Sequence, residues 1–391
     1  MASERQFDIV VYGATGFTGR LVAEYLSRQY ADGTVKWAMA GRSAKKLEEV
    51  RDLIGAPETT PLIAADASDP AALKAMVEST KVVLTTVGPY QLYGAPLVAA
   101  CAAAGTDYVD LCGEVPFMRQ MIDAHQEAAQ KSGARIVFSC GFDSIPFDLG
   151  VFFLQEQAKA KFGQPVPRVK GRVRAMNGTL SGGTAASGRA TMEAAAKDKT
   201  IMGYLFDPYS LAPGTKGVAQ PDGQTPHEDK TLGSWVAPFF MAVINTKNVH
   251  RSNFLLNNAY GADFAYDEMM LTGPGEKGKQ TADFIANNDM MGGDDVPQPG
   301  EGPSKEEREA GNYDVLFVGE GPDGKTIKVG VTGDKDPGYG STSKMIAESA
   351  ICLANDVPDL KGGFWTTAPA FGMKLVERLR ANAGLTFEVE G

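Results

Sequence analysis

Three glycines at intervals of three, Gly13, Gly16 and Gly19, follow the apolar run "IVVY" in "IVVYGATGFTGRLV". Glycines so placed permit a tight turn, let a diphosphate approach the backbone, and let a helix lie close against the strand before it. Thr15, Phe17 and Thr18 fill the intervals. A helix beginning near Phe17 directs unpaired N–H groups and a partial positive charge at whatever lies ahead of it. The loop is therefore expected to hold a dinucleotide.

The next strand end bears on which dinucleotide. An Asp or Glu there receives the ribose 2′-hydroxyl of NAD, but this chain reads "AMAGRSAKK", with Arg42 and Ser43 after Gly41 and Lys46 a turn later. A guanidinium forks onto a phosphate and stacks on adenine, so the expected cofactor is NADP(H). The plain alternative is a solvated helix start with surface lysines.

Further strand ends should line the same crevice. Asp66 either meets the adenine or closes a turn; Val87, Gly88, Pro89 and Tyr90 in "TTVGPY" and Gly113 in "DLCGE" end the fourth and fifth strands. For proton transfer the candidates are Tyr90, Asp143 in "GFDSIP" and Tyr339 in "KDPGYGS". Each has an ordinary alternative: Tyr90 as a packing aromatic, Asp143 as the cap of a helix starting near Ile145, and Tyr339 as an interdomain contact. His125, His227 and His250 stand in no recognised motif, and Cys101, Cys112, Cys140 and Cys352 form no CxxC pair, so no metal site is expected.

The elements that must position these groups alternate regularly. Apolar runs predict strands near 7–12, 35–40, 61–65, 82–87, 107–110 and 135–139, and helical periodicity predicts helices near 17–30, 43–54, 70–79, 95–104 and 116–131. Six strands alternating with five helices make a doubly wound parallel sheet of the α/β class, which binds ligands at the carboxyl ends of its strands. At 391 residues the chain exceeds one core, so a second domain follows.

Downstream, Arg168, Lys170, Arg172 and Arg174 alternate along "PRVKGRVRAM", either as a solvated basic face or as a docking stripe for an anionic partner. "GTLSGGTAASGRATMEAAAKD" leads a small-residue turn into a helix, as an anion pocket or as a connection capped by Ser187. Residues 203–232 and 291–312 are expected as surface loops, a hairpin is expected around Pro322-Asp323-Gly324, and a helix over Ser341 to Leu353.

A net charge of −10 argues against nucleic acid as a partner. The amino-terminal residues carry no secretory pattern, and the 25 uncharged residues from Val82 to Thr106 are broken by Gly and Pro, so a cytoplasmic chain is expected. The apolar "LGSWVAPFFMAVINT" is a buried helix or a greasy contact surface for a membrane or lipid periphery.

Together, "GATGFTGR", the "AGR" strand end, "VGPYQLYG", "YVDLCGE", "CGFDSIPFDLG" and "GDKDPGYGSTSKMIAESA" resemble the saccharopine dehydrogenase-like oxidoreductases, including the trans-acting enoyl reductases. The resemblance implies a Rossmann domain that binds NADP, with an inserted second α/β (α+β) domain. It gives cofactor binding to residues 1–150, a substrate or dimerisation domain at 151–335, and a helical return to the Rossmann domain at 336–391.

The implied reaction is reduction of a C=C bond in an enoyl lipid or polyketide intermediate, a small-molecule or acyl-chain substrate that a carrier protein could present; a homodimer is open to it. Saccharopine chemistry on a C=N bond is one alternative, for which Arg168, Arg172, Arg174, Arg189 and Arg251 are available cations. A non-catalytic NADP-binding sensor or scaffold is the other. Short-chain dehydrogenase chemistry is not expected, because none of the 12 tyrosines has Lys four residues on.

Overall fold

Each apolar run in the first 140 residues becomes a strand of one parallel sheet, because a strand covered by helices on both faces has no wet side to populate. The computed structural model describes residues 5–178, 182–288, 301–321 and 324–391. In chain order the first half comprises β1 (Phe7–Tyr12), α1 (Phe17–Gln29), β2 (Trp37–Gly41), α2 (Ala44–Leu53), β3 (Leu62–Ala64), α3 (Pro70–Ser79) and β4 (Thr80–Thr85). There follow α4 (Tyr90–Tyr93), α5 (Ala95–Ala104), β5 (Asp107–Val109), α6 (Val115–Ser132), β6 (Arg135–Val137) and α7 (Ile145–Phe162).

The second half comprises β7 (Arg168–Asn177), α8 (Gly182–Lys197), α9 (Lys199–Phe206), β8 (His227–Asp229), β9 (Ser234–Pro238), α10 (Ala242–Leu255), β10 (Ala265–Gly273) and α11 (Gly275–Asn287). It continues with α12 (Lys305–Ala310), β11 (Asn312–Glu320), β12 (Thr326–Gly333), α13 (Thr342–Asn355), β13 (Gly363–Trp365), α14 (Thr367–Phe371), α15 (Met373–Asn382) and β14 (Leu385–Glu390).

The first sheet runs β13-β6-β5-β4-β1-β2-β3, all parallel. Strand order reverses between β1 and β4, and a crevice opens there at the carboxyl ends. The seventh strand, β13, comes from the far end of the chain. Its three residues, Gly363 to Trp365, are too short a signal to stand out in the sequence.

The second sheet runs β14-β12-β11-β7-β10-β9-β8, mixed, with β7 and β10 its parallel pair. α7 packs on β11 and β12, and α10 on β10 and α7. One continuous apolar core spans both sheets, from Val10 and Val83 to Phe317 and Val329. Residues 336–391 are not purely helical, since β13 joins the first sheet and β14 the second.

The basic stripe of β7 is neutralised within the fold. Arg172, 1% exposed, bonds Asp229 and Asp267; Arg168 pairs with Asp267, Lys170 with Glu320 and Asp229, and Arg174 with Asp314 and Glu390. Each cation meets acids from neighbouring strands and loops that sequence alternation cannot show, so this face is not a docking stripe for an anion. The apolar "LGSWVAPFFMAVINT" divides into β9 and the start of α10 rather than forming one helix. β11 and β12 pair as the expected hairpin; Pro322 and Asp323 of its turn lie outside the described residues, as do residues 291–300 of the expected loop 291–312, whose described part carries α12.

Candidate active site

A large cavity of about 1800 Å³ lies between the carboxyl edge of the first sheet and the second domain. At one end its wall is Tyr12, Gly13, Thr15, Gly16, Phe17, Thr18, Arg42 and Asp66. The glycine loop is built for close approach. Gly13 has φ +93°, and a Cβ there would stand 2.7 Å from Val87 Cγ2. A Cβ on Gly19 would collide with the Gly13 carbonyl, so Gly19 serves contact between helix and loop and does not line the cavity. The first turn of α1 carries neither a side-chain cap nor an acid. Its N–H groups and its dipole are thus directed at the cavity with no acid of the helix's own first turn answering them.

Arg42 is exposed at the tip of β2. Asp66 closes a turn and also lines the cavity: its carboxylate accepts from Ser68 Oγ at 2.7 Å and Ser68 N at 2.8 Å, chiefly for which it stays below the usual carboxylate range. Ser43 caps α2 by accepting from Lys46 N, and Ser43, Lys46 and Pro89 stand outside the cavity lining. This glycine loop, uncapped helix and strand-end guanidinium together fit a dinucleotide bearing a 2′-phosphate.

Val87, Gly88, Tyr90 and Gly113 line the middle of the cavity. The Tyr90 hydroxyl donates to Thr85 O at 3.3 Å and accepts from Leu111 N at 3.1 Å, while burial raises its pKa well above that of a free phenol. Its hydroxyl is therefore a strut between two strand ends. Beneath it Glu114, buried, accepts from Tyr90 N at 2.7 Å, Gln91 N at 2.8 Å and Ser187 Oγ at 2.7 Å.

Tyr339 stands at the cofactor end. Its ring meets Phe17 edge-on with centroids 4.7 Å apart, and its hydroxyl accepts from Gly182 N and donates to Glu301 O. These contacts brace the phosphate loop against the second domain.

Asp143, half-buried, lines the cavity between the two domains. Burial pushes its carboxyl up to about 7, so the group is protonated over much of the neutral range. Around this end lie Ala185, Gly188, Met192 and Leu205 of α8 and α9, with Phe240, Met241, Val243 and Ile244 at the start of α10. Of the five cations available to a polycarboxylate, Arg189 alone lines the cavity. Arg168, Arg172 and Arg174 are held in the ion pairs of the second sheet, and Arg251 is buried against the carbonyls of Leu211 and Phe364.

Sequence reasoning missed Glu114 as a junction and the roofing role of α8, because both depend on which elements the fold brings together. The apolar run 235–243 was visible, but not that its second half would line the cavity.

The family described as "saccharopine dehydrogenase NADP binding domain" matches residues 9–137. A trans-acting enoyl reductase of Mycobacterium bovis is 38% identical over 96% of this chain and 96% of its own length. A Mycobacterium tuberculosis protein provisionally given the same name is 41% identical over 99% of this chain and 98% of its own. The chain belongs to the trans-acting enoyl reductase family.

The chain has the saccharopine dehydrogenase fold. Saccharopine dehydrogenase of Saccharomyces cerevisiae superposes over 98% of this chain and 100% of its own, with TM-score 0.50 and 11% identity. Homospermidine synthase of Legionella pneumophila, solved with NAD, gives TM-score 0.57 at 9% identity over 98% of this chain and 91% of its own. At such identities the likeness concerns the fold. The chain is an NADP-dependent oxidoreductase acting on a small molecule. Among the described residues no helix is long and apolar enough to cross a membrane, and no group of His, Cys, Asp and Glu could hold a metal.

Proposed function

We propose that this protein reduces the C=C bond of an α,β-unsaturated acyl thioester. One observation carries the reading: the cavity beyond Asp143 is walled by Met192, Leu205, Phe240, Met241, Val243 and Ile244, and Arg189 is its only cation at that end among the described residues. A tricarboxylate such as saccharopine would need convergent cations there.

Residues 1–150 hold the cofactor in this reading, with the diphosphate on Gly13, Thr15, Gly16, Phe17 and Thr18, the 2′-phosphate on Arg42, and the other half along Val87, Gly88 and Gly113. Residues 151–335 form the substrate domain, and 336–391 return to the first sheet. NADPH supplies a hydride to the β-carbon when bound. Asp143 gives its carboxyl proton to the α-carbon, and the resulting carboxylate regains a proton from solvent. Tyr90 and Tyr339 hold the walls in place.

The mouth supports a substrate delivered by a carrier protein. Tyr93, Met192 and Val243, respectively 50%, 61% and 43% exposed, line the cavity and face solvent, which suits the entry of an acyl chain still attached to its bearer.

Absorbance at the NADPH band tests the reading, with decenoyl-pantetheine plus NADPH and saccharopine plus NADP+ as separate mixtures. Consumption of NADPH with the thioester alone is expected. Formation of NADPH from NADP+ with saccharopine alone would overturn it, and tight nucleotide binding with no turnover of either would favour a nucleotide sensor. Flotation of the protein with liposomes would replace the carrier by a lipid surface.

A further inference from the structure

Two cations line the cavity, Arg42 and Arg189. They also stand apart from the rest of the chain in how they are held. Every other arginine is engaged within the fold by a carboxylate, a backbone carbonyl or an aromatic ring. Arg42 and Arg189 alone have no hydrogen bond, ion pair or ring contact among the described residues. A guanidinium left unanswered on a cavity wall is a receptor for an anion that arrives from outside. Arg42 stands where a cofactor phosphate is expected, and Arg189 calls for a second anion.

The course of α8 says where that anion sits. At the start of the helix Gly182 N donates to the Tyr339 hydroxyl at the cofactor end, and Ser187 then bonds Glu114 beneath the Tyr90 segment. Met192, 61% exposed, lies at the mouth. With a rise of about 1.5 Å per residue, Arg189 stands roughly 10 Å along the axis from Gly182. It is three residues before Met192, on the same side of the helix, and is itself exposed. The guanidinium therefore belongs to the mouth and not to the diphosphate loop. Glu193, four residues on, lines the cavity as well but forms no ion pair with Arg189. Being exposed, its carboxylate is screened by water, which limits its opposition to an incoming anion.

We propose that Arg189 binds the phosphate of a 4′-phosphopantetheine arm, so that the enzyme selects a substrate by the group that bears it. The proposal rests on the reading of the protein as a reductase of acyl thioesters. With the reacting bond beside Asp143, the sulfur lies inside the cavity and the arm runs outward. The pantetheine part is neutral, with two amides, and its phosphate is at the end remote from the sulfur. A single guanidinium at the mouth matches a single phosphate there. The same phosphate occurs in coenzyme A and in the arm of a carrier protein.

Decenoyl-pantetheine and decenoyl-4′-phosphopantetheine differ by that phosphate alone, and NADPH oxidation by the full chain compares them. The ratio of kcat/KM, phosphorylated over unphosphorylated, should be about tenfold in the wild type, the scale of one charge-assisted hydrogen bond near the surface, and should fall toward one in Arg189→Gln. Arg189→Lys, which keeps the charge and loses the fork, should retain part of the preference. A wild-type ratio near one, or a ratio that survives Arg189→Gln, would overturn the proposal alone. Weaker NADPH binding by Arg189→Gln in fluorescence titration would give the guanidinium to the cofactor and overturn it too. Decenoyl-coenzyme A and a decenoyl carrier protein identify the bearer: a loss on Arg189→Gln with either supports the proposal, and a loss with neither refutes it. No reduction of any of these thioesters would remove the reductase reading itself.

Discussion

Ser187 of α8 donates to Glu114 Oε1 at 2.7 Å across the two domains, and the same carboxylate receives the N–H groups of Tyr90 and Gln91. One helical turn further, Gln91 Nε2 reaches Thr191 Oγ1 at 3.1 Å. Two contacts four residues apart on α8 fix both its distance from the Tyr90 segment and its rotation about its own axis.

That pair of contacts predicts a separation of effects. Ser187→Ala removes the bond to Glu114, which keeps its two backbone donors, so the loss in stability should be about 1 kcal/mol. The KM for an acyl thioester should rise several-fold while NADPH affinity holds, as steady-state kinetics and fluorescence titration would show. An equal loss for both ligands would place α8 outside substrate binding.

Arg42→Ala should weaken NADPH binding by about ten- to a hundredfold, the worth of one hydrogen bond to a charged phosphate at about 1.5–3 kcal/mol. Affinity for NADH, which lacks that phosphate, should be unchanged. Calorimetry with both nucleotides checks the difference.

Asp143→Asn should trade activity for stability. The carboxyl ordinarily ionises at 3.8 and in the fold at about 7, so between those values the native protein retains a proton that the unfolded chain releases. Stability from this residue therefore falls as pH rises through that window and is lowest above it. The amide variant should melt higher than wild type above pH 7, by the equivalent of a few kcal/mol at most, and little differently at about pH 4. Its kcat should drop by roughly 10²–10⁴. Melting curves across pH, unchanged by the substitution, would place the carboxyl in water.

Gly19→Ala forces a methyl into the Gly13 carbonyl. Both neighbours are backbone, so relief requires α1 to move off the loop. Thermal unfolding should show destabilisation of about 1–3 kcal/mol, and NADPH affinity should fall with it. A Gly16→Ala variant, whose Cβ would stand 3.3 Å from the same oxygen, should lose less stability.

How much could be read in advance follows from the range of the interactions concerned. The strands and helices up to residue 137 write themselves locally, as apolar runs and turn residues, and the expected ranges lie close to those observed. Arg42 and the glycine loop were legible because their spacing along the chain is itself the geometry of the site. Glu114 was not, since its partner Ser187 belongs to a helix of the second domain whose place appears only after packing. The basic residues of β7 misled for the same reason: Asp229, Asp267, Asp314 and Glu390 reach them from as far as the last strand.

The division of β13 and β14 between two sheets bears on biosynthesis. A nascent chain on the ribosome can assemble six strands around the dinucleotide loop early, but the edge strand beyond β6 is delivered only at Gly363 and the outermost strand of the other sheet only at Leu385. Neither sheet is finished until β13 and β14 have both emerged, so a chain cut before Gly363 would leave two raw sheet edges exposed at once.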